Sequence, residues 1–313
     1  MKKGVVIAIL VFLFLVSCSR LPQGERPQDT AAVLKAVSTG TQGVYLSTLP
    51  RYPPDVLYDQ NEFVAIVEVR NRGNYDLQPQ DCWVRVTGFD PNILGQSMVG
   101  ARSCAENVRV LEGKNIYNTQ GGFNQLEFRS TNVKLPEGVF EYTPTLHYMT
   151  CYNYHTIASP QVCVDPLLYQ VTAEQKTCIP RDVGMGGGQG GPVGVSFVGV
   201  DMVGKKAIFE INVVNSGGGK AVSPETHIQD CGGSNLNYQD LDRVKYEVQL
   251  TGASLVDCKP SDHFVRLVNN QGKIICSFNL ASGSAYETPL RIDLDYGYID
   301  SIQKPVRIVQ TPQ

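Results

Sequence analysis

The sequence predicts an all-β protein made of two β-sandwich domains in tandem, and three observations carry that prediction. From Gly43 onward the 3.6-residue period nearly vanishes, and β-rich runs such as FVAIVEVR (63–70) and AIFEINVV (207–214) alternate with Gly, Asn, Asp and Pro. Short motifs on either side of a glycine-rich stretch repeat at one constant spacing. Nine cysteines among 313 residues exceed what a reduced cytosolic chain ordinarily carries. The chain is 42% hydrophobic, enough for packed cores, and its formal charge of −3 offers no basic field for nucleic acid.

Taken in order, residues 1–17 read as an export signal. Lys2 and Lys3 precede an apolar run at 5–16, and twelve helical residues reach about 18 Å, short of a hydrocarbon core about 30 Å thick. Leu15-Val16-Ser17-Cys18 resembles the lipobox of prokaryotic lipoproteins, which implies a lipidated Cys18 as the new N-terminus. Two or more acyl chains, burying methylenes at about 0.8 kcal/mol each, would hold it stably on a membrane. Losing two lysines from 27 basic residues leaves 25 against 30 acidic, and with Cys18 lipidated eight cysteines remain, an even number.

Residues 18–42 form the lipidated N-terminus and a polar tether, with a helix-compatible patch at 30–37. The first sandwich is expected over 43–183. Residues 184–192 hold six glycines and read as a flexible linker; Pro192 and the strand-like GVSFVGV replace the Lys-Ser/Thr and helix of a phosphate loop. The second sandwich is expected over 193–313. Val69-x-Asn71-x-Gly73 recurs as Val213-x-Asn215-x-Gly217, so each residue moves by 144. Tyr152-x-Tyr154 recurs at the same spacing as Tyr296-x-Tyr298, and Val162-x-Val164 as Val306-x-Ile308. The Asn71/Gly73 and Asn215/Gly217 pairs predict turns in which Asn and Gly tolerate positive φ, and each module is expected to end in a hairpin. Two tyrosines two apart share one strand face.

VEVRNRGNYDL, INVVNSGGGKA and the terminal strand resemble the immunoglobulin-like β-sandwich modules of the cell-adhesion-related (CARDB-like) family of bacterial and archaeal surface proteins. GVYLSTLPRYPPDVLYDQNEF and GFDPNILG look like tandem surface lipoproteins of archaea. The resemblance implies exposed binding or scaffolding modules and brings no catalytic residue.

A hairpin turning near Ile157 would place Cys151 opposite Cys163, a cross-strand spacing close to disulfide geometry. The repeat puts Asp295 and Arg307 at the matching positions, an opposite-charge pair. Cys258 is expected to pair with Cys276, Cys82 with Cys104, and Cys178 with Cys231. The alternative, zinc held by His147, Cys151, His155 and Cys163, spreads its first and third ligands over about 26 Å of strand and is set aside.

Nothing in the motifs points to catalysis: no His-Glu-x-x-His helix and no Gly-x-Ser-x-Gly elbow occur. His263 beside Asp262 and Asp257 reads as a polar turn, and Asp240/Asp242 and Asp293/Asp295 as solvated strand faces rather than calcium ligands. Fifteen tyrosines against one tryptophan are either partner-contact area or core and sheet-face residues. The expected product is an exported lipoprotein on the extracytoplasmic face, cell surface or periplasm, acting as a non-catalytic binding, scaffolding or adhesion module. Its expected partners are the membrane, through the anchor, and a protein or surface polymer, with no cofactor, metal or nucleic acid. The runner-up is an accessory subunit of a surface-filament or secretion assembly, ahead of an envelope hydrolase.

Overall fold

The computed structural model describes residues 30–170, 175–230, 236–281 and 283–312. The expected signal segment, Cys18 and Cys231 lie outside these residues. A helix, α1 (Thr30–Ser38), occupies the patch expected to be helical and buries Val37. The rest is overwhelmingly strand. The first repeat contains β1 (Val44–Thr48), β2 (Val56–Tyr58), β3 (Phe63–Asn71), β4 (Cys82–Thr87), β5 (Ala101–Ser103), β6 (Phe123–Ser130), β7 (Glu141–Tyr142), β8 (Thr145–Ala158) and β9 (Gln161–Val164), with one helical turn, α2 (Pro91–Leu94). The second contains β10 (Val183–Gly184), β11 (Val193–Val203), β12 (Lys206–Asn215), β13 (Lys220–Val222), β14 (Arg243–Leu250), β15 (Ala253–Lys259), β16 (Phe264–Arg266), β17 (Gln271–Leu280), β18 (Tyr286–Pro305) and β19 (Arg307–Val309).

Strict alternation builds the faces. In β3, Phe63, Ala65, Val67 and Val69 turn inward, and in β12 Ala207, Phe209, Ile211 and Val213 do the same. A three-stranded sheet, β1-β3-β6, covers the first repeat, and a five-stranded sheet, β10-β11-β12-β17-β15, covers the second. Both pack on one larger sheet, ordered β16-β14-β18-β8-β4-β5, which runs through both repeats. Phe128 of β6 meets Tyr148 of β8 with ring centroids 6.3 Å apart, and one cluster of buried apolar side chains extends through both halves.

The two repeats are joined by their last strands, which corrects the expected terminal hairpins. β8 does not fold back at Ile157. It passes Pro160 into β9, and both segments run antiparallel to β18 in one unshifted register, from Thr145 facing Pro305 to Val164 facing Tyr286. β19 continues the same register against β7, with Ile308 facing Tyr142, and also pairs in parallel with β2. Each repeat therefore ends in a strand built into the other repeat. Tyr152 faces Tyr298 and Tyr154 faces Tyr296, pairs that exchange places under the 144-residue shift. A pseudo-twofold axis thus passes by Asn153 and Gly297, which face each other and are repeat equivalents.

The cysteines follow from this register. Cys82–Cys104 and Cys258–Cys276 are bonded as expected. Cys163 is bonded to Cys178 instead of Cys151 or Cys231, because β9 leaves β8 behind and faces Glu287. Cys151 faces Ile299 and Trp83, and it is disulfide-bonded outside these three bridges. Arg307 forms a two-pronged pair with Glu141 at 2.8–2.9 Å, so the expected Asp295–Arg307 pair does not form.

The glycine-rich segment is exposed at Gly184, Gly186 and Gly187 but packed from Gly188 onward. Gly190 donates to Gly40 O at 2.9 Å and accepts from Asn74 N at 2.9 Å. A Cβ on Gly191 would strike Thr156 and Tyr296. Glycine serves close approach to the pseudo-dyad at this point rather than flexibility.

Candidate binding cleft

The Asn-x-Gly residues singled out by the repeat are brought onto the tyrosines. Asn71 Oδ1 accepts from Gly73 N at 3.1 Å and from Tyr154 Oη at 3.3 Å. In the second repeat Asn215 Oδ1 accepts from Gly217 N at 3.1 Å and from Tyr298 Oη at 2.9 Å. None of these four residues has positive φ. Glycine is needed because a Cβ on Gly73 would fall on Tyr154 Oη, and one on Gly217 on Tyr298 Oη. Tyr296 Oη meets Thr156 Oγ1 at 2.8 Å and accepts from Val193 N at 3.3 Å. Tyr152, Tyr154, Tyr296 and Tyr298 are buried. Desolvation raises all four hydroxyl pKa values, that of Tyr298 to about 12. These tyrosines are core, not contact area; they lock turn to strand in both repeats.

On the outer face of the same ladder, His155 lies between two carboxylates. Its Nδ1 is 2.6 Å from Asp295 and its Nε2 3.2 Å from Asp293, which also pairs with Arg291 at 2.7 Å. The hydrogen bond that His155 donates to Asp295 raises the His155 pKa first, against desolvation; the hydrogen bond from Arg291 chiefly lowers that of Asp293. Asp293 and Asp295 share a strand face, but Asp293 is buried rather than solvated, and Asp240 sits in a 3₁₀ turn while Asp242 has φ +55°. Of the alternative zinc ligands, Cys151 and Cys163 are both in disulfides, so they offer no thiolate.

A cleft of about 620 Å³ in the second repeat is one feature that breaks the symmetry, and its volume is within the range of ligand sites. It runs along consecutive residues of β14, from Lys245 to Leu250, and across to Ala253 and Leu255 of β15 and Phe278 of β17. β14 is covered by β16 only at Arg243–Lys245. Tyr246 N–H donates outward to His263 O at 2.9 Å, so by strand alternation the main-chain groups of Val248 and Leu250 point the same way, toward the cleft. β15 is the edge of its own sheet, pairing only with β17, and its Leu255 is 47% exposed. The Cys258–Cys276 bridge ties this edge strand down.

The polar groups at the rim are engaged. Asp262 pairs with Arg243 at 3.1 Å and accepts from Phe264 N at 3.3 Å. His263, at φ +59°, lies with its ring 5.6 Å from Tyr246, and Asp257 pairs with Lys259 at 3.2 Å. The His263 neighbourhood is the polar turn that the sequence suggested. Desolvation, then Asp262 and Asp257, push the Tyr246 hydroxyl up to about 12. It donates to Pro260 O.

The first repeat closes the corresponding flank. β4 pairs with the equivalent stretch of its own Tyr-x-Tyr strand, and the segment that follows, α2 and a 3₁₀ turn at Gln96–Met98, buries Leu94 and Met98 fully. Ser97 Oγ and Lys134 N tie that segment down through Arg129 O and Ile93 O, at 2.9 and 3.1 Å. In the second repeat only Thr251 and Gly252 separate β14 from β15, so no chain is left at that point to fill the flank. Sequence reasoning missed the cleft; the signal was the closeness of the runs 243–250 and 253–259.

No family model matches the chain. No curated protein matches it. Among solved structures, the secreted serine protease VesC from Vibrio cholerae aligns at 10% identity with a TM-score of 0.19. The alignment covers 86% of this chain and 52% of that one, so the chain spans about half of that protein's length. A likeness this weak carries neither fold nor activity across. The three described disulfides belong to an oxidising, extracytoplasmic environment. Among the described residues no helix is long and apolar enough to cross a membrane.

Proposed function

We propose that this chain is a lipid-anchored extracytoplasmic lipoprotein that acts as a rigid, non-catalytic binding scaffold, built of two immunoglobulin-like sandwiches. The observation that carries this is the exchanged terminal ladder: β8–β9 and β18–β19 bind each repeat into the other along one register. Two modules so joined cannot swing freely, and they hold any surface they present at a fixed orientation. Leu15-Val16-Ser17-Cys18 supports the anchor, and the disulfides support export.

Metabolic labelling with an alkynyl palmitate, followed by fractionation, tests the anchor. Wild type takes up label and sediments with membranes; Cys18→Ala takes up none and becomes soluble outside the cytoplasm. A Cys18→Ala protein still labelled and still membrane-bound refutes the reading. The open edge of β14 favours a second reading, an accessory subunit of a surface-filament or secretion assembly, since such assemblies pair through strand edges.

A further inference from the structure

We propose that the turn Asn115–Asn118, together with α1, rests on the surface of the lipid bilayer, with Ile116 and Tyr117 entering its headgroup layer. The inference deepens the lipoprotein reading and rests on it, because Cys18 supplies the attachment that brings the turn to the membrane.

The turn is built to present these two side chains. Asn115 Oδ1 accepts from Tyr117 N at 2.9 Å and from Asn118 N at 2.8 Å, and Asn115 N donates to Asn118 O at 3.0 Å. Ile116 and Tyr117 stand at its tip, 51% and 94% exposed, and Tyr117 is the most exposed large apolar side chain among the described residues. Scattered exposed apolar residues are ordinary on a protein surface, but two adjacent ones on a hydrogen-bonded turn lose little freedom on burial. The N–H groups of Tyr117 and Asn118 are satisfied within the turn, so entering lipid orphans neither of them. A tyrosine ring with a polar end, beside an aliphatic neighbour, suits the boundary between headgroups and acyl chains.

Position turns that shape into a membrane contact. Lys114 Nζ donates to Ala36 O at 3.2 Å and to Thr39 O at 2.6 Å, which fastens the turn to the C-terminal end of α1. Gly40, just past α1, bonds to Gly187 and Gly190 beside the pseudo-dyad, so the chain coming from Cys18 joins the body there. Residues 18–29, twelve in number, reach at most about 40 Å, so an anchored Cys18 holds the start of α1 within that distance of lipid. Tethering makes the contact intramolecular, and a small apolar area then suffices. Charge agrees: residues 30–38 and 114–121 contain two lysines and no acid, although 30 of the 313 residues are acidic. These segments do not repel an anionic bilayer surface. Phe140, 73% exposed, is the contrast: it precedes β7, which meets Ile308 about 35 Å along the ladder from Gly297.

The test uses the full chain, isolated from membranes of cells fed alkynyl palmitate. It is reconstituted into vesicles of phosphatidylcholine and phosphatidylglycerol, with or without bromine on the upper acyl carbons. Trp83, the sole tryptophan, gives the background emission. Bromine should lower the emission of Tyr117→Trp roughly twofold, since interfacial side chains sit at the headgroup–acyl boundary, and leave wild type and Phe140→Trp unchanged. Adding Ile116→Ser to Tyr117→Trp should remove most of that quenching. Hydroxyl-radical footprinting of the unaltered chain on vesicles should modify Tyr117 several-fold less than Phe140, though both rings are exposed in the protein itself. All these substitutions alter exposed side chains, and thermal melts check that the variants fold. Three results overturn the proposal. The first is no quenching at position 117 with Tyr117 fully modified, and the second is equal quenching at 117 and 140. The third is emission that follows protein density on the vesicle rather than bromine, which assigns the turn to a second copy. Any of these with palmitate on Cys18 leaves the anchored scaffold standing. An unlabelled Cys18 on protein that leaves the vesicles overturns both readings.

Discussion

Replacing Tyr154 by Phe removes one oxygen from the pseudo-dyad, and its environment sets the size of the loss. Tyr154 Oη accepts from Tyr75 N–H at 3.2 Å and lies 3.3 Å from both Asn71 Oδ1 and Gly190 O, to one of which it donates. The hydroxyl is buried, and a Phe ring leaves the Tyr75 N–H and one acceptor without it. A buried polar group deprived of its partner costs about 1–3 kcal/mol. Tyr148 lies six residues earlier on the same face, equally buried, but its hydroxyl has no partner among the described residues. Tyr148→Phe deletes an unsatisfied polar atom and should leave stability unchanged or raise it by up to about 1 kcal/mol. At about 2 °C per kcal/mol for a chain this long, the two variants should melt about 2–8 °C apart. Differential scanning calorimetry of both, with Tyr298→Phe as the repeat counterpart, reads this directly. Tyr298→Phe should fall within about 1 kcal/mol of Tyr154→Phe, since Tyr298 Oη bonds Asn215 and Gly219 in the same way. Tyr148→Phe destabilising as much as Tyr154→Phe would refute the hydrogen-bond account.

Further outcomes follow from the same geometry. Gly73→Ala and Gly217→Ala should each cost more than Tyr→Phe, about 2 kcal/mol or above, because the new Cβ strikes tyrosine oxygen and neighbouring atoms; urea midpoints measure this. Peptide mapping without reduction should return Cys163–Cys178 and no Cys151–Cys163 peptide. His155 has its pKa raised by Asp295, so its contribution is complete below its unfolded value near pH 6.5 and fades as pH rises through the folded value. Asp293 has its pKa lowered by Arg291, so its contribution is complete above about pH 4 and fades as pH falls through its folded value. Denaturant midpoints from pH 5 to 8.5 should fall less steeply in His155→Gln than in wild type; equal slopes would contradict the pairing. Residues 43–183 expressed alone should give no cooperative transition, because β7 and β2 then lack β19.

What the sequence made legible was whatever depends on near neighbours. Alternation named the inward face of β3 and β12, and the 144-residue shift placed Asn71, Asn215 and the four tyrosines in equivalent roles. It also supplied the cystines that close within one repeat's own sheets, Cys82–Cys104 and Cys258–Cys276. What stayed hidden was the choice of partner strand. An alternating strand fits any antiparallel neighbour, so the run 145–164 suits a hairpin about Ile157 as well as a long ladder with β18, and only the tertiary context decides. The error at Cys163 is that single choice carried forward.

The same physics explains why the cleft could not be read from sequence. A strand edge becomes a site only when no other segment reaches it, and that depends on what the intervening loops do in space. The residues of β14 and β4 look alike, each presenting valines to a shared core. The difference lies in connections: the segment after β4 folds back as α2 over its flank, while two residues after β14 turn straight into β15. The two repeats share the paired strand and differ in what lies over its flank. The asymmetry between equivalent strands, rather than any residue type within them, is therefore what distinguishes the two flanks.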